Sequence, residues 1–344
     1  MVRALEWIDD RGTLRLIDQT RLPATECYLD IDTVDALVKA IKDLAVRGAP
    51  ALGAVGALGV VVAMRQGEAE GWSPERLAAE VARVRDARPT AVNLAWGVDQ
   101  AWPLAGSGLA AVLGRAKQII AEDEAANRAL SRLGADWILA RTGRDKVRVV
   151  THCNTGALAT TGWGTAYGII HELHDRGAIE LVYADETRPL LQGARLTSWE
   201  LTHDGIPHVV QADGAASSTL LRHRADVAII GADRIAANGD SANKVGSVAL
   251  ALACRRAGVP FVVAAPSTTV DLGTACGDDI EIEERDAGEV LAFAGVRTTP
   301  EGAKAFNPAF DVTPHDLISA IVTEHGIVEP DTNPDPRLLA RIAG

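Results

Sequence analysis

Five short apolar runs in the second part of the chain constrain its fold more than any other feature. Each run is continuous, rich in β-branched residues and closed by polar residues. The runs are VRVVTHC (147–153), IELVYAD (179–185), HVVQAD (208–213), DVAIIGAD (226–233) and VPFVVAAP (259–266). Continuous apolar runs, several of them separated by helix-length segments, are typical of parallel strands that are buried on both faces. The pattern therefore predicts a doubly wound, Rossmann-like parallel sheet.

The preceding part of the chain shows helical periodicity instead. A turn at Asp10–Gly12 lies between two strand-like runs and predicts a small β-ribbon. Apolar residues at helical spacing then follow Thr33, a good N-cap, and Pro50 forces a break between two helices. The sequence thus predicts an α/β protein with two domains. Residues 1–142 form a mainly helical N-terminal domain, and residues 143–344 form a Rossmann-like α/β catalytic domain.

Composition and charge limit the partners. With 47% hydrophobic and 23% charged residues the chain has the composition of a soluble globular protein, and its net charge of -12 with scattered cations argues against nucleic acid. Residues 49–64 approach the length of a membrane span, but three glycines and two flanking arginines predict a buried core helix. The N-terminus lacks an apolar core of signal-peptide length, so we expect a cytoplasmic protein without a membrane partner.

Cys153 is the first candidate for chemistry. It follows the first apolar run, and a turn of backbone amides at a strand end would lower the pKa of a thiol and allow it to act as base or nucleophile. The alternative is an inert buried cysteine, and His152, on the opposite face of the strand, is expected to be structural. The four cysteines have no CxxC spacing, so the sequence predicts neither a metal site nor a disulfide framework.

Nucleotide cofactors are not expected. Gly162-Trp-Gly164, with Asp185 about 20 residues further on, imitates a dinucleotide fingerprint, but it starts about ten residues too late after the strand. No GxxxxGK sequence followed by Ser or Thr occurs, which excludes the phosphate-binding loop of nucleotide hydrolases.

Asp233 is the second candidate. It opens a segment, 231–246, that collects charged and amide side chains at the end of the most apolar strand. Apolar surroundings can hold such a carboxylate protonated, which would make it a general acid. The alternatives are an ion pair with Arg234 or a helix cap. Arg47 and Arg88 are isolated cations whose planar guanidinium groups suit a phosphate.

Taken together, these segments resemble a known family. Six of them occur in the order found in 5-methylthioribose-1-phosphate isomerases, and they span nearly the whole chain. They are RGAPALG (47–53), RPTAVNLAW (88–96), THCNTGALAT (151–160), DETRPLLQGARLT (185–197), GADRIAANGDSANKVG (231–246) and FNPAFDVTP (306–314). The wider family also contains ribose-1,5-bisphosphate isomerase and non-enzymatic regulatory subunits of a translation-initiation exchange factor.

The resemblance implies an intramolecular oxidoreductase that converts an aldose phosphate to a ketose phosphate in methionine salvage, without a cofactor and as a homodimer. It implies Cys153 and Asp233 as the catalytic pair. It also implies a set of ligands for the sugar phosphate: Arg47, Gly48, Ala49, Arg88, Gln192, Asn243 and Lys244. Having both Cys153 and Asp233 disfavours the regulatory branch. We expect the phosphate to be held by Arg47 and Arg88 from the helical half and by Lys244 from the other half.

Two alternatives stay open at this point. The substrate could be ribose 1,5-bisphosphate or 5-deoxyribose 1-phosphate, and the chain could be a regulatory protein that binds a sugar phosphate or nucleotide. The segment 306–314 is a strong marker of the family to which the sequence assigns no chemical role.

Overall fold

The computed structural model describes residues 2–89, 92–332 and 336–343. The described residues divide into two compact units, each made from two stretches of chain. Unit 1 comprises residues 1–125 and 155–164, and unit 2 comprises residues 126–154 and 165–344. The predicted domain boundary after Thr142 coincides with the end of a long helix, whereas the two units divide inside that helix and again on either side of residues 155–164.

Unit 1 begins with the predicted β-ribbon, which a third strand extends. The antiparallel strands are β1 (Leu5–Ile8), β2 (Thr13–Ile17) and β3 (Tyr28–Ile31). Helices follow, as predicted: α1 (Val34–Lys42), α2 (Ala49–Glu70), α3 (Pro74–Arg85), α4 (Val92–Ala101) and the first part of α5 (Leu109–Thr142), with a 3-10 helix at Trp102–Ser107. The Thr33 side chain caps α1, where its hydroxyl oxygen accepts the Ala36 N–H at 3.3 Å.

Helix α2 is the centre of the core of unit 1. It is long and apolar enough to cross a membrane by length and composition, but 72% of its apolar window is buried inside the protein. Helix α4 crosses it closely because both helices carry glycines: a Cβ on Gly97 would lie 1.9 Å from the Gly53 carbonyl oxygen. A helix that is apolar on all sides belongs in a core. The prediction of a buried core helix is confirmed.

Unit 2 contains the predicted parallel sheet. Its order is β16-β15-β10-β7-β4-β5-β6, and all pairs are parallel except β15–β16. The strands are β4 (Val147–Thr151), β5 (Ile179–Asp185), β6 (His208–Gln211), β7 (Val227–Ile230), β10 (Phe261–Ala264), β15 (Ala320–Thr323) and β16 (Gly326–Val328). The five apolar runs are β4 to β7 and β10, whereas β15 and β16 were not predicted.

Helices cover both faces of this sheet, which confirms the doubly wound fold. They are α6 (Ala166–Asp175), α7 (Ser198–His203), α8 (Ala215–Leu221) and α9 (Ser247–Ala257). One apolar core joins the end of α5 and α6 to one face, and a second joins α8 and α9 to the other. Strands β7, β10 and β15 are buried along their whole length, which explains why their sequences do not alternate.

A smaller four-stranded sheet follows β7 in the order β11-β8-β9-β14. Its strands are β8 (Arg234–Ala236), β9 (Ser241–Lys244), β11 (Val270–Asp271) and β14 (Phe310–Thr313). Between β11 and β14 lie α10 (Gly288–Leu291) and a hairpin of β12 (Ala292–Phe293) and β13 (Val296–Arg297). Further 3-10 helices occur at Ser267–Thr269, Gly277–Asp279, His315–Leu317 and Pro336–Arg341.

Candidate active site

Strands β4 and β7 mark the point where the winding of the large sheet reverses. From β4 the chain winds outwards through β5 to β6, and from β7 it winds the other way through β10 to β15. The two strands are direct neighbours, with Thr151 opposite Ile229. Cys153 follows β4 and Asp233 follows β7. Both predicted catalytic residues therefore lie beyond the carboxyl ends of the strands at the topological switch, where open α/β sheets bind ligands.

Cys153 is held in an unusual backbone conformation. Its φ of 64° is left-handed, a region that side-chain-bearing residues rarely adopt. Threonine side chains bind both of its main-chain polar groups. The Cys153 N–H donates to Thr187 Oγ1 at 2.8 Å, and Thr197 Oγ1 donates to the Cys153 carbonyl oxygen at 2.6 Å. The thiol-bearing residue is half-buried, so it is neither sequestered in the core nor fully exposed.

Thr187 is itself in a left-handed conformation, with φ of 66°. For a β-branched residue this is a true outlier, because its side chain crowds the backbone there. The Asp213 carboxylate fixes the turn by accepting the N–H groups of Thr187 and Arg188, both at 2.7 Å. The Thr187 hydroxyl in turn donates to the carbonyl oxygen of Asp185 at 3.0 Å. Backbone strain of this kind concentrates at functional sites.

A π-helical turn, Gly193–Thr197, carries the second threonine to Cys153. Gly193 allows the turn to lie close to β5, because a Cβ there would lie 1.7 Å from the Asp185 carbonyl oxygen. Gln192, a predicted substrate ligand, precedes this turn and is buried. Single π-helical turns occur frequently at functional sites.

His152 is structural, as predicted. Its ring is buried between Asp185, whose Oδ2 lies 3.1 Å from Nδ1, and the Val245 carbonyl oxygen, 2.9 Å from Nε2. Because a carbonyl can only accept, Nε2 carries a proton, and Nδ1 shares a second proton with the Asp185 carboxylate. Burial lowers the pKa of His152, but the hydrogen bond and charge of Asp185, the Val245 carbonyl and the charge of Asp213 together raise it by more, so it lies above its usual range. Burial also raises the pKa of Asp185.

His152, Asp185 and Asp213 form a cluster whose potential metal-ligand atoms lie within 4.8 Å of one another. Each of the four carboxylate oxygens has a hydrogen-bond partner in the protein: Gln211 and His152 for Asp185, and two backbone amides for Asp213. Through Asp185 and Asp213, the cluster binds the hydroxyl and the backbone N–H of Thr187 and so stabilises its conformation.

Asp233 differs from the expectation in one respect. The sequence predicted a carboxylate set among apolar groups, but the Asp233 side chain is exposed. The reason is that the chain leaves β7 and turns directly into β8, where the Asp233 N–H donates to the Ala242 carbonyl oxygen at 2.9 Å. The helix-cap alternative is wrong because a strand follows. Arg234 forms an ion pair with Asp271 at 3.2 Å.

Lys244 and Asn243 lie on β9 and are both buried. The Lys244 ammonium donates to the Ala309 carbonyl oxygen and lies 4.6 Å from the centre of the Phe310 ring. Asn243 Nδ2 donates to Ser247 Oγ at 3.1 Å. These contacts order the Lys244 side chain, so a ligand that bound it would not bear the entropic cost of ordering a mobile lysine.

The segment 306–314 now has a structural role. Its strand, β14, pairs with β9 so that Phe310 lies opposite Lys244 and Asp311 opposite Asn243. The Asp311 carboxylate also accepts the Gly246 N–H at 2.7 Å at the start of α9. The segment thus supports the two predicted ligands of β9.

In unit 1, Arg47, Gly48 and Ala49 lie at the N-terminus of α2, where the first amides of a helix have no partner within it. Gly48 has φ of 96°, and a Cβ on it would lie 2.1 Å from the Ala159 carbonyl oxygen, so glycine is required here. Arg88 is half-buried in the bend after α3.

The chain matches a known protein family along most of its length. The family model described as "Initiation factor 2 subunit family" matches residues 45–330. The chain belongs to this family. A methylthioribose-1-phosphate isomerase of Alkalilimnicola ehrlichii is 51% identical over 95% of this chain and 94% of that protein. A probable bifunctional methylthioribose-1-phosphate isomerase/methylthioribulose-1-phosphate dehydratase of Nocardia farcinica is 50% identical over 99% of this chain, which spans 61% of that protein.

Solved structures agree. 5-Methylthioribose 1-phosphate isomerase from Pyrococcus horikoshii has a TM-score of 0.89 and 35% identity, covering 99% of this chain and 96% of that one. Translation initiation factor eIF-2B, subunit delta, from A. fulgidus has a TM-score of 0.87 and 36% identity over 99% of this chain and all of that one. The predicted resemblance to the methylthioribose-1-phosphate isomerases is confirmed.

Within this family frame, unit 2 contains Cys153, Gln192, Asp233, Asn243 and Lys244, and unit 1 contains the remaining predicted ligands. No sequence pattern points to Thr187 or Thr197, although both lie in segment 185–197. A left-handed threonine has no signature in sequence, because the residue type argues against the conformation.

Proposed function

We propose that this chain is an aldose-ketose isomerase that converts 5-methylthioribose 1-phosphate to 5-methylthioribulose 1-phosphate in methionine salvage. One observation carries the proposal: Cys153 and Asp233 follow the two strands at the topological switch, and the first has a strained, doubly bound backbone. The identity of the substrate is proposed from relatives of about 50% identity whose names include this activity.

The chemistry explains why two such groups are needed. A phosphate ester on C1 blocks ordinary opening of the sugar to an aldehyde, so the enzyme opens the ring by protonating the ring oxygen as the C1–O bond breaks. C1 then gains the hydrogen of C2, and the C2 hydroxyl loses its proton to become the carbonyl. Asp233 is the acid, and Cys153 acts at the C1 and C2 side.

The exposed Asp233 places a demand on this mechanism. A general acid has to keep its proton until the ring oxygen takes it. We propose that bound substrate covers Asp233, because removal of water favours the protonated form of a carboxyl group. We propose that Arg47, Arg88, Lys244, Gln192, Asn243 and the amides of Gly48 and Ala49 bind the sugar phosphate, with desolvated charge-assisted contacts that overcome the net charge of -12.

Turnover tests the proposal directly. Purified protein is assayed without added cofactor on 5-methylthioribose 1-phosphate, and in parallel on ribose 1,5-bisphosphate. We expect a ketose product from the first and a kcat/KM at least tenfold lower for the second. The reverse preference would assign the enzyme to the bisphosphate branch. The same reaction in deuterium oxide tests the path of the hydrogen: substantial solvent deuterium at C1 of the product would rule out a direct hydride shift.

A regulatory role is the second candidate, favoured by the likeness to an eIF-2B delta subunit. Folded protein that yields no ketose at any enzyme concentration, yet binds the sugar phosphate in a calorimetric titration, would support it.

We further propose that the protein is a cytoplasmic homodimer. Exposed apolar side chains occur on the edge strand β6, at Val209 and Val210, and on α8, at Leu221. A second copy that covered this edge would remove apolar surface and unpaired strand groups from water. Sedimentation analysis of the parent and of Val210→Lys tests this: a dimeric parent and a monomeric variant are expected.

A further inference from the structure

We propose that Thr187 and Thr197 are positioning residues, which hold the Cys153 backbone in its left-handed conformation and thereby aim the thiol. The inference builds on the proposed role of Cys153 in the isomerisation. It assigns a function to two residues that do not themselves have to contact the substrate.

The first observation is that the hydrogen bonds reach both sides of the same residue. Thr187 accepts from the Cys153 N–H at 2.8 Å, and Thr197 donates to the Cys153 carbonyl oxygen at 2.6 Å. Together these two groups define the orientation of the peptide planes on either side of the Cα atom, and hence the direction of the Cα–Cβ bond. Because a residue with a side chain favours negative φ, the two hydrogen bonds oppose relaxation of Cys153 from its φ of 64°.

The second observation is the conformation of Thr187. A glycine would adopt φ of 66° without strain, whereas a β-branched side chain is strongly disfavoured there. The threonine nevertheless provides something a glycine lacks, an Oγ1 atom that accepts the Cys153 N–H. The same side chain that strains the Thr187 backbone therefore also provides the hydrogen bond that holds Cys153.

The third observation is that each threonine is itself oriented by a neighbour. The Thr187 hydroxyl proton goes to the Asp185 carbonyl oxygen, which leaves its oxygen as the acceptor for Cys153. Asn154 Nδ2 donates both to Thr197 Oγ1, at 3.2 Å, and to the buried carboxylate of Glu200. Since a carboxylate only accepts, Asn154 presents its N–H₂ to this side, and Thr197 directs its own proton to Cys153.

Thr323 provides a matched control in the same unit. It is as fully buried as Thr187, its hydroxyl donates to the Ile342 carbonyl oxygen at 3.0 Å, and its oxygen accepts the His325 N–H at 3.2 Å. It is the last residue of β15, which lies two strands away from β7 and three from β4. Thr323→Val therefore removes an equivalent pair of hydrogen bonds without affecting Cys153.

The test compares Thr187→Val, Thr187→Gly, Thr187→Ser, Thr197→Val and Thr197→Ser with Thr323→Val. We expect both valine variants at 187 and 197 to lower kcat at least tenfold while KM stays within threefold of the parent. The serine variants should recover kcat to within threefold. Thr187→Gly is the decisive variant, because glycine relieves the strain: its unfolding temperature should be no lower than that of Thr323→Val, yet its kcat should fall as in Thr187→Val.

A second measurement does not depend on isomerase activity. The rate of iodoacetamide modification of Cys153 is followed against pH by peptide mass spectrometry, with Cys276 in the same protein as internal reference. In the Val and Gly variants, the rate of Cys153 modification relative to Cys276 should differ at least threefold from the parent at one or more pH values. In the Ser variants and Thr323→Val it should not.

Three outcomes would overturn the inference: parental kcat in both valine variants, an equal loss in Thr323→Val, or a lost kcat with an unchanged modification profile at Cys153. If the parent itself shows no turnover, the proposed function fails, and the modification profile alone then decides whether the two threonines position the thiol.

Discussion

The two edges of the large sheet differ in the residues that occupy left-handed backbone positions, although His223 at the amino edge is an exception. At the amino edge, the turns leading into four strands place glycine there, at Gly143, Gly177, Gly205 and Gly258. At the carboxyl edge, Cys153, Thr187 and Leu191 adopt the same conformation with full side chains. Glycine makes the turn without strain, and the other residues make it at a cost of about 1–2 kcal/mol each. At the carboxyl edge the strained residues therefore include Cys153, the proposed catalytic thiol, and Thr187, which binds its backbone.

The two edges of the sheet also differ in how charged side chains are surrounded. At the amino edge the buried Asp226 carboxylate is matched by Arg148, which donates Nε and Nη2 at 3.0 and 2.9 Å, and by Arg144 at 3.0 Å. At the carboxyl edge, Lys244 is buried with a carbonyl and an aromatic ring, and Asp233 is exposed. The first arrangement is a closed ion-pair cluster that stabilises the fold, whereas the second contains two of the residues for which we propose a role in catalysis and substrate binding.

The largest expected effect is on turnover at the carboxyl edge. Asp233→Asn keeps the size of the side chain but removes the transferable proton, so kcat should fall about a hundred- to ten-thousand-fold with little change in stability. Cys153→Ser should lose most turnover as well, because a hydroxyl is far less acidic than a thiol. Steady-state kinetics with thermal unfolding as control measure both. A change confined to KM would make Asp233 a binding residue.

Next in size is a stability effect at the amino edge. Asp226→Ala leaves the partly buried Arg148 without its carboxylate, and we expect a loss of about 2 kcal/mol in the free energy of unfolding, as for hydrogen bonds to charged groups. kcat per folded molecule should stay parental. Urea unfolding measures the loss, with the exposed Asp145→Ala as control. A loss of activity without a loss of stability would contradict the contrast between the edges.

Glycine substitutions compare the strain at the two edges. Cys153→Gly should be more stable than Cys153→Ala by about 1 kcal/mol, because only alanine keeps the left-handed strain. The exposed His223, with φ of 52° in the turn before β7, is the non-glycine position at the amino edge. His223→Gly should stabilise by up to about 1 kcal/mol and keep full turnover. Differential scanning calorimetry measures the stability of each variant. Equal stability of Cys153→Gly and Cys153→Ala would show that the left-handed conformation of Cys153 is not strained.

The smallest effect is a pH dependence. Burial raises the pKa of Asp226, but Arg148 and Arg144 lower it by more, so the folded-state pKa lies below the ordinary 3.8. The stability it contributes is therefore complete above the unfolded-state pKa and is lost as the pH falls through the folded-state pKa. The stability gap between the parent and Asp226→Asn should be constant from pH 5 to 7 and narrow below about pH 4. A gap that does not change with pH would mean that the ion pair is not what the carboxylate contributes.

Sequence patterns predicted the elements that depend on local periodicity. The β-ribbon, the buried helix α2 and five parallel strands follow from turn residues, helical spacing and continuous apolar runs. The run at β15, AIVT, was missed because it follows an irregular segment rather than an α-helix. The predicted domain boundary was placed at the end of helix α5 rather than within it. A helix that contributes to two cores has the same local periodicity as a helix that contributes to one.

The candidate site could be predicted as a set of residues but not as an arrangement. Strand ends locate Cys153 and Asp233, since polar residues after buried parallel strands meet at one edge. The exposure of Asp233 depends on how the chain turns into β8, and the support of Cys153 depends on a threonine in a conformation that its own propensity opposes. Both arise from tertiary hydrogen bonds, which leave no periodic trace.

Residues 155–164 have a consequence for any attempt to divide the protein. This segment leaves unit 2 directly after Asn154, and within unit 1 its Leu158 and Ala159 carbonyl oxygens accept from the Gln19 side chain and the Ala51 N–H. A truncation after residue 142 would remove these acceptors and the loop that lies against Gly48. Expression of either half alone, or a chimaera joined at a single crossover with a homologue, would therefore separate groups that fold together. Exchange between family members should succeed only where 155–164 is transferred together with residues 1–125.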